Sequence, residues 1–207
     1  MDNKLLEDHL LERRIYERLG KHDRICELKY PVRRGLVLER LVQNLRERLR
    51  GVPNSSDSGS GSSPSRDEML RWSIQAAEGA AYIHEKGVIQ ADLTCINLLL
   101  DRDGNLKFCD FAGSSIDGST ALVMPDTDFE RPDMDYKVPS IQDDLFQLGS
   151  VIYEIWTGNA PSRRGDQQWP DLASIPPAST IMKCWRGHYQ SAAETMLELE
   201  AQAVSMQ

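Results

Sequence analysis

Apolar positions recur at helical spacing over residues 3 to 20, where Leu5, Leu11, Ile15 and Leu19 form a stripe and Gly20 marks a stop. Glu12 lies on the edge of that stripe, three and four residues from Ile15 and Tyr16, so its charge wants a partner. "RICELKY" and "GLVLERL", separated by Pro31 and Gly35, predict two neighbouring strands of a small sheet, and residues 42 to 50 read as a helix. Asp67 is the expected N-cap of a long helix to about Glu85, with Trp72, Ala76, Ala77, Ala80, Ile83 and His84 on one face. Its alanines permit close packing, which predicts a central helix. Residues 88 to 113 read as strand, turn and strand, and 113 to 140, rich in Asp, Pro, Ser and Thr, as an extended loop. "DDLFQLGSVIYEIWTG", 143 to 158, predicts a strongly apolar helix closed by Gly158, with further helices near 178 to 186 and 190 to 202.

Between the two halves, "GVPNSSDSGSGSSPSRD" at 51 to 67 is almost free of apolar side chains and is expected to be a mobile loop. Its Gly59-Ser-Gly61 is not read as a phosphate-cradling loop, because no strand precedes it to aim its amides. With 207 residues and 40% hydrophobic content the chain can bury one good core or two small lobes. A net charge of -8 argues against a nucleic-acid partner, since the local basic runs are interleaved with Glu12, Glu17, Glu39 and Glu47. No apolar run approaches the ~20 residues that cross a bilayer, so no membrane is expected. Cys26, Cys95, Cys109 and Cys184 show no CxxC pair and no signal peptide precedes them, which points to reduced thiols, no zinc, and a cytoplasmic or nuclear location.

The stretch "VIQADLTCINLLLDRDGNLKFCDFAG" places Asp92, Asn97 and Asp110 around one hairpin. A two-residue turn at Asp103-Gly104 pairs 102 with 105 and, counting outward, 97 with 110. Opposed residues share a face, so Asn97 and Asp110 are expected to meet at the open mouth as a pair of oxygens suited to Mg²⁺. Asp92, five residues before Asn97, can reach the same mouth. A metal pair beside a free carboxylate is the outfit of phosphoryl transfer. For either aspartate alone, a turn cap or a strand end is the plainer reading; the joint spacing favours chemistry.

On these residues the chain resembles a eukaryotic protein kinase, with the flavour of kinase-like sequences of filamentous fungi. "QADLTCIN" resembles the catalytic loop H-R-D-L-x-x-x-x-N, which would make Asp92 the base and Asn97 a metal ligand. "DFAG" resembles D-F-G, which would make Asp110 the magnesium-binding aspartate. "ERRIYERLG" resembles helix αC with Glu12 in the ion-pairing place. "LVLERL" resembles the fifth strand and hinge, with Leu38 as gatekeeper and the Glu39 and Leu41 backbones against adenine. "DLFQLG" resembles a later helix start whose aspartate, Asp144, would brace the catalytic loop, and "KCW" the late Cys-Trp. The resemblance implies an α+β, two-lobe kinase-like fold with a truncated small β lobe and a mainly helical C-lobe. Residues 1–50 would be the partial small lobe, 51–66 an insertion, and 67–207 the helical lobe. It implies ATP and Mg²⁺ as cofactors and a protein substrate or partner.

Several departures stand beside it. The family's Gly-rich loop and strand lysine precede αC, whereas this chain begins at Met1 almost inside it, and Lys4 shares Glu12's own helix. His-Arg of the loop is Gln90-Ala91, the loop lysine is Thr94, and Ala112 replaces the D-F-G glycine. No clear A-P-E falls between 125 and 140. Three readings follow: a Ser/Thr-directed protein kinase, a catalytically impaired pseudokinase serving as a nucleotide-binding or scaffold module, and a small-molecule kinase of the aminoglycoside phosphotransferase type.

Overall fold

The computed structural model describes residues 3–33, 35–52, 63–132, 134–135, 137–162 and 169–205, with side chains from His9 onward. The expected loop at 51 to 67, with Gly59 and Gly61, falls largely outside the described residues. Helix α1 (Asn3–Leu19) stops before Gly20 as its stripe predicts and buries Ile15, Tyr16 and Leu19. Strands β1 (Leu28–Val32) and β2 (Gly35–Leu38) pair antiparallel, Val32 opposite Gly35, with an irregularity between Leu28 and Tyr30.

The helix expected over 42 to 50 is shorter. Gln43 and Asn44 are extended as β3 (Gln43–Asn44), and only α2 (Leu45–Leu49) is helical. The Asn44 side chain accepts from Glu47 N–H at 2.9 Å, and an N-capping residue must itself be non-helical. The N-cap of α3 (Arg66–Glu85) is Ser65 rather than Asp67. Ser65 Oγ accepts from Glu68 N–H at 3.2 Å while Glu68 Oε2 accepts from Ser65 N–H at 2.9 Å, a reciprocal box that satisfies two amides at once. The alanine face of α3 is buried, and Gly79 lets it lie against Phe108: a Cβ there would stand 2.3 Å from the ring.

Strands β4 (Val88–Ile89), β5 (Leu98–Leu100), β6 (Leu106–Phe108) and β7 (Ser115–Ile116) follow. They form a three-stranded sheet in the order β3-β5-β6 and a separate β4-β7 pair. The expected hairpin is present, but its register differs by one residue: Leu98 opposes Phe108 and Leu100 opposes Leu106. Asp101 explains the shift. Its Oδ1 accepts from the amides of Asp103 and Asn105 at 2.9 and 2.8 Å, and Asp101 N–H donates to Asn105 O, closing a three-residue loop. Gly104 takes the left-handed position such a loop requires, with φ +74°. Asn97 therefore opposes Cys109, whose N–H donates to Asn97 O at 2.9 Å, and not Asp110.

Helices α4 (Ile141–Thr157), α5 (Ala178–Trp185) and α6 (Ala192–Ser205) complete the chain. Helix α3 packs against α4 and α6, and α4 against α5, around one core that α1 and the small strands join. The fold is α+β and protein kinase-like, as the resemblance implies. All four cysteines are unbridged and buried. Among the described residues no helix is long and apolar enough to cross a membrane.

Candidate active site

The loop between β4 and β5 carries two of the predicted residues, and α4 holds it. Asp144, fully buried, accepts from Gln90 N–H at 2.8 Å, Ala91 N–H at 2.9 Å and the His84 ring at 2.8 Å. Gln147, one turn on, accepts from Leu93 N–H at 2.7 Å and donates to Ala91 O at 3.0 Å. Between these anchors Ala91 adopts φ +63°, a conformation costing an L-residue roughly 1–2 kcal/mol. Charge-assisted hydrogen bonds offset that cost.

Thus held, the loop presents Asp92 and Asn97 as a pair. Asn97 Nδ2 donates to Asp92 O at 2.8 Å and to Asp92 Oδ2 at 3.0 Å. This fixes the amide, so Asn97 Oδ1 and Asp92 Oδ1 are the acceptors left over. Burial pushes the Asp92 carboxyl above its ordinary value; the Asn97 hydrogen bond pulls it back, and the negative charge of Asp110 pushes it up again.

Asp110 lies two residues beyond Phe108, the end of β6, and turns with φ +56°. Gln90 Nε2 donates to its carbonyl at 2.8 Å and to that of Cys109 at 3.3 Å, while its own side chain is exposed. The left-handed turn thus does what the register was expected to do. Asp92, Asn97 and Asp110 line one pocket of about 240 Å³ with Gln90, walled on one side by Gly113 and Val123. Gly113 is needed there, because a Cβ would stand 2.4 Å from the Val123 side chain. A larger hollow of about 420 Å³ between α3 and Ala203 contains one carboxylate, Asp67, and none of the predicted residues.

Helix α1 closes the back of the site. Phe111 is buried with the Tyr16 ring edge-on to it, centroids 5.2 Å apart. Glu12, one turn earlier, is raised above its ordinary value by burial and then by Asp110, with His9 and the Phe111 amide pulling the other way. Among the described residues no salt bridge involves it; the Lys4 side chain lies outside them.

Leu38, Glu39 and Leu41 stand apart from this pocket. Leu38 and Leu41 pack on the core edge. Glu39 accepts from Lys107 Nζ at 2.6 Å and Glu27 N–H at 2.8 Å, and donates its own N–H to Glu27 O at 2.9 Å. Sequence reasoning passed over Gln147, the Arg46–Glu154 pair, in which Nε and Nη2 reach the buried carboxylate at 2.5 and 2.9 Å, and Arg131 on Asp143 at 2.6 Å. A signal was present: Asp144, Gln147 and Glu154 are polar residues at turn spacing in the most apolar helix of the chain.

With this geometry in place, residues 2–204 match the protein-family model for the protein kinase domain. The chain belongs to the protein kinase family. It is 29% identical over 164 residues, 64% of this chain, to the MAP kinase kinase kinase wis4 of Schizosaccharomyces pombe. It is 38% identical over 87 residues, 39% of the chain, to the serine/threonine-protein kinase RUNKEL of Arabidopsis thaliana, and 30% identical over 110 residues, 49% of the chain, to the protein kinase C delta type of Mus musculus. These matches cover 11%, 6% and 16% of those kinases' own lengths.

Proposed function

We propose that the chain carries the phosphoryl-transfer half of a protein kinase directed at protein serine or threonine and using ATP with Mg²⁺. Residues 1–50 serve as the small-lobe part and 67–207 as the large lobe. The observation that carries this reading is the meeting of Asp92, Asn97 and Asp110 in one pocket of a protein kinase domain; the serine/threonine assignment takes support from the relative RUNKEL, a serine/threonine-protein kinase.

Each residue has a task that its surroundings suit. Asp92 Oδ2 is occupied by Asn97, so Oδ1 accepts the proton of an incoming hydroxyl, and a partly buried carboxylate of raised pKa is the better base. Asn97 Oδ1 and the exposed Asp110 carboxylate are hard oxygen donors that fit Mg²⁺ and would hold it. When bound, the ion would neutralise phosphate charge. Gln90 keeps Asp110 in its left-handed turn, Asp144 keeps the Asp92 loop in place, and the Glu39 and Leu41 backbones remain the proposed adenine contacts.

The test joins binding to transfer. Mg²⁺-ATP at millimolar concentration should raise Tm. Asp110→Ala should lose that shift. Asp92→Asn should keep it while phosphate transfer to a mixed protein substrate falls by at least about 10²-fold. A shift without transfer in the unaltered chain would make it a binding module, and no shift at all would remove the nucleotide from the reading.

A further inference from the structure

Two thiols lie beside the site and take no part in the chemistry above. Ile25 and Phe108 form a parallel bridge, with Cys26 N–H donating to Phe108 O at 2.9 Å and Phe108 N–H to Arg24 O at 2.7 Å. The next pair in that register is Cys26 and Cys109, which parallel pairing places side by side on one face, while the Cys26 thiol donates to Glu39 O at 3.8 Å. Strands so paired lie ~4.8 Å apart, inside the ~4.4–6.8 Å Cα separation that a disulfide spans without moving backbone. The other two cysteines have no such neighbour: Cys95 Sγ donates to Val151 O and Cys184 Sγ meets Thr195 Oγ1, each at 3.9 Å.

We propose that Cys26 and Cys109 form a peroxide-responsive dithiol whose closure to a disulfide fastens the segment before β1 to the residue preceding Asp110. The Cys26 sulfur attacks a peroxide oxygen, the O–O bond breaks, and sulfenic acid and one water result. The Cys109 sulfur then attacks the Cys26 sulfur, the S–O bond breaks, and hydroxide leaves with the Cys109 proton as a second water. Two thiols and one hydrogen peroxide thus give one disulfide and two waters, with two electrons passing to the peroxide. Selectivity has a geometric basis: Cys26 and Cys109 stand side by side in paired backbone, whereas the Cys95 and Cys184 thiols each face a protein oxygen and no cysteine. Closure reaches the pocket because Cys109 donates to Asn97 O and accepts from Gln90.

The experiment treats the reduced full chain with hydrogen peroxide, blocks remaining thiols after denaturation, and maps peptides without reductant. The expected product is a Cys26–Cys109 cross-linked peptide with Cys95 and Cys184 alkylated, a Tm higher by roughly 5–10 °C that dithiothreitol reverses, and slower amide exchange over residues 107–112. Cys26→Ala and Cys109→Ala should each abolish the cross-link and the shift; if either fails to fold, the peptide map of the unaltered chain decides alone. Oxidation of Cys26 or Cys109 only to sulfinic or sulfonic acid, or cross-links through Cys95 or Cys184, would overturn the proposal. None of these readings depends on nucleotide binding.

Discussion

Asp92 shows how much one side chain's surroundings decide. Its position five residues before Asn97 was visible in the sequence, but its elevated pKa comes from burial in a pocket that also holds Asp110. The sign of the stability effect follows. A carboxyl that holds its proton more tightly when folded stabilises the fold below its ordinary value of 3.8, and that contribution is lost as pH rises through the raised folded value. Asn at this position does not titrate and can still accept from Asn97. Asp92→Asn should therefore match the parent's Tm at the acid end and exceed it above the folded pKa; equal Tm values at every pH would contradict the burial argument. Asp110 reaches the pocket by a route other than the expected register: Asp101 lengthened the loop and shifted the pairing, and a φ of +56° turned Asp110 toward the pocket. A side chain that binds its own loop's amides competes with the two-residue turn that Asp-Gly suggests.

Among elements, α4 is the one whose pattern told least of its role. Read as an apolar helix, it is also the anchor to which the loop of residues 90–93 is tied, through polar residues buried among apolar ones. Glu154 is 0% exposed and is held by the two nitrogens of Arg46 from α2, 14% exposed. Leaving a buried carboxylate without its cation is costly, so Arg46→Ala should lower unfolding stability by about 3–5 kcal/mol, while the double change Arg46→Met with Glu154→Leu should restore most of it. Urea denaturation of both variants measures the difference. If the double variant were as unstable as the single, the loss would lie in packing against Phe129, over whose ring Arg46 also sits at 5.8 Å.

At the scale of the whole molecule, Asp144 joins α3, the loop after β4 and α4 through three hydrogen bonds. Asp144→Ala removes all three and leaves Ala91 in a left-handed turn without support, which should cost about 3 kcal/mol or more. Hydrogen exchange should show faster opening of residues 90–93 before global unfolding; uniform change across the chain would refute this local role. By itself the sequence determined the helices and their buried faces, because apolar spacing is a local property, and the presence of Asp92, Asn97 and Asp110 near one hairpin, because their separation in the chain is short. The tertiary structure alone decided the register, the N-cap at Ser65, the partners of Glu154 and Gln147, and the meeting of Cys26 with Cys109. Those depend on which competing hydrogen bond or charge pair wins between segments far apart in sequence, and no local pattern records that contest.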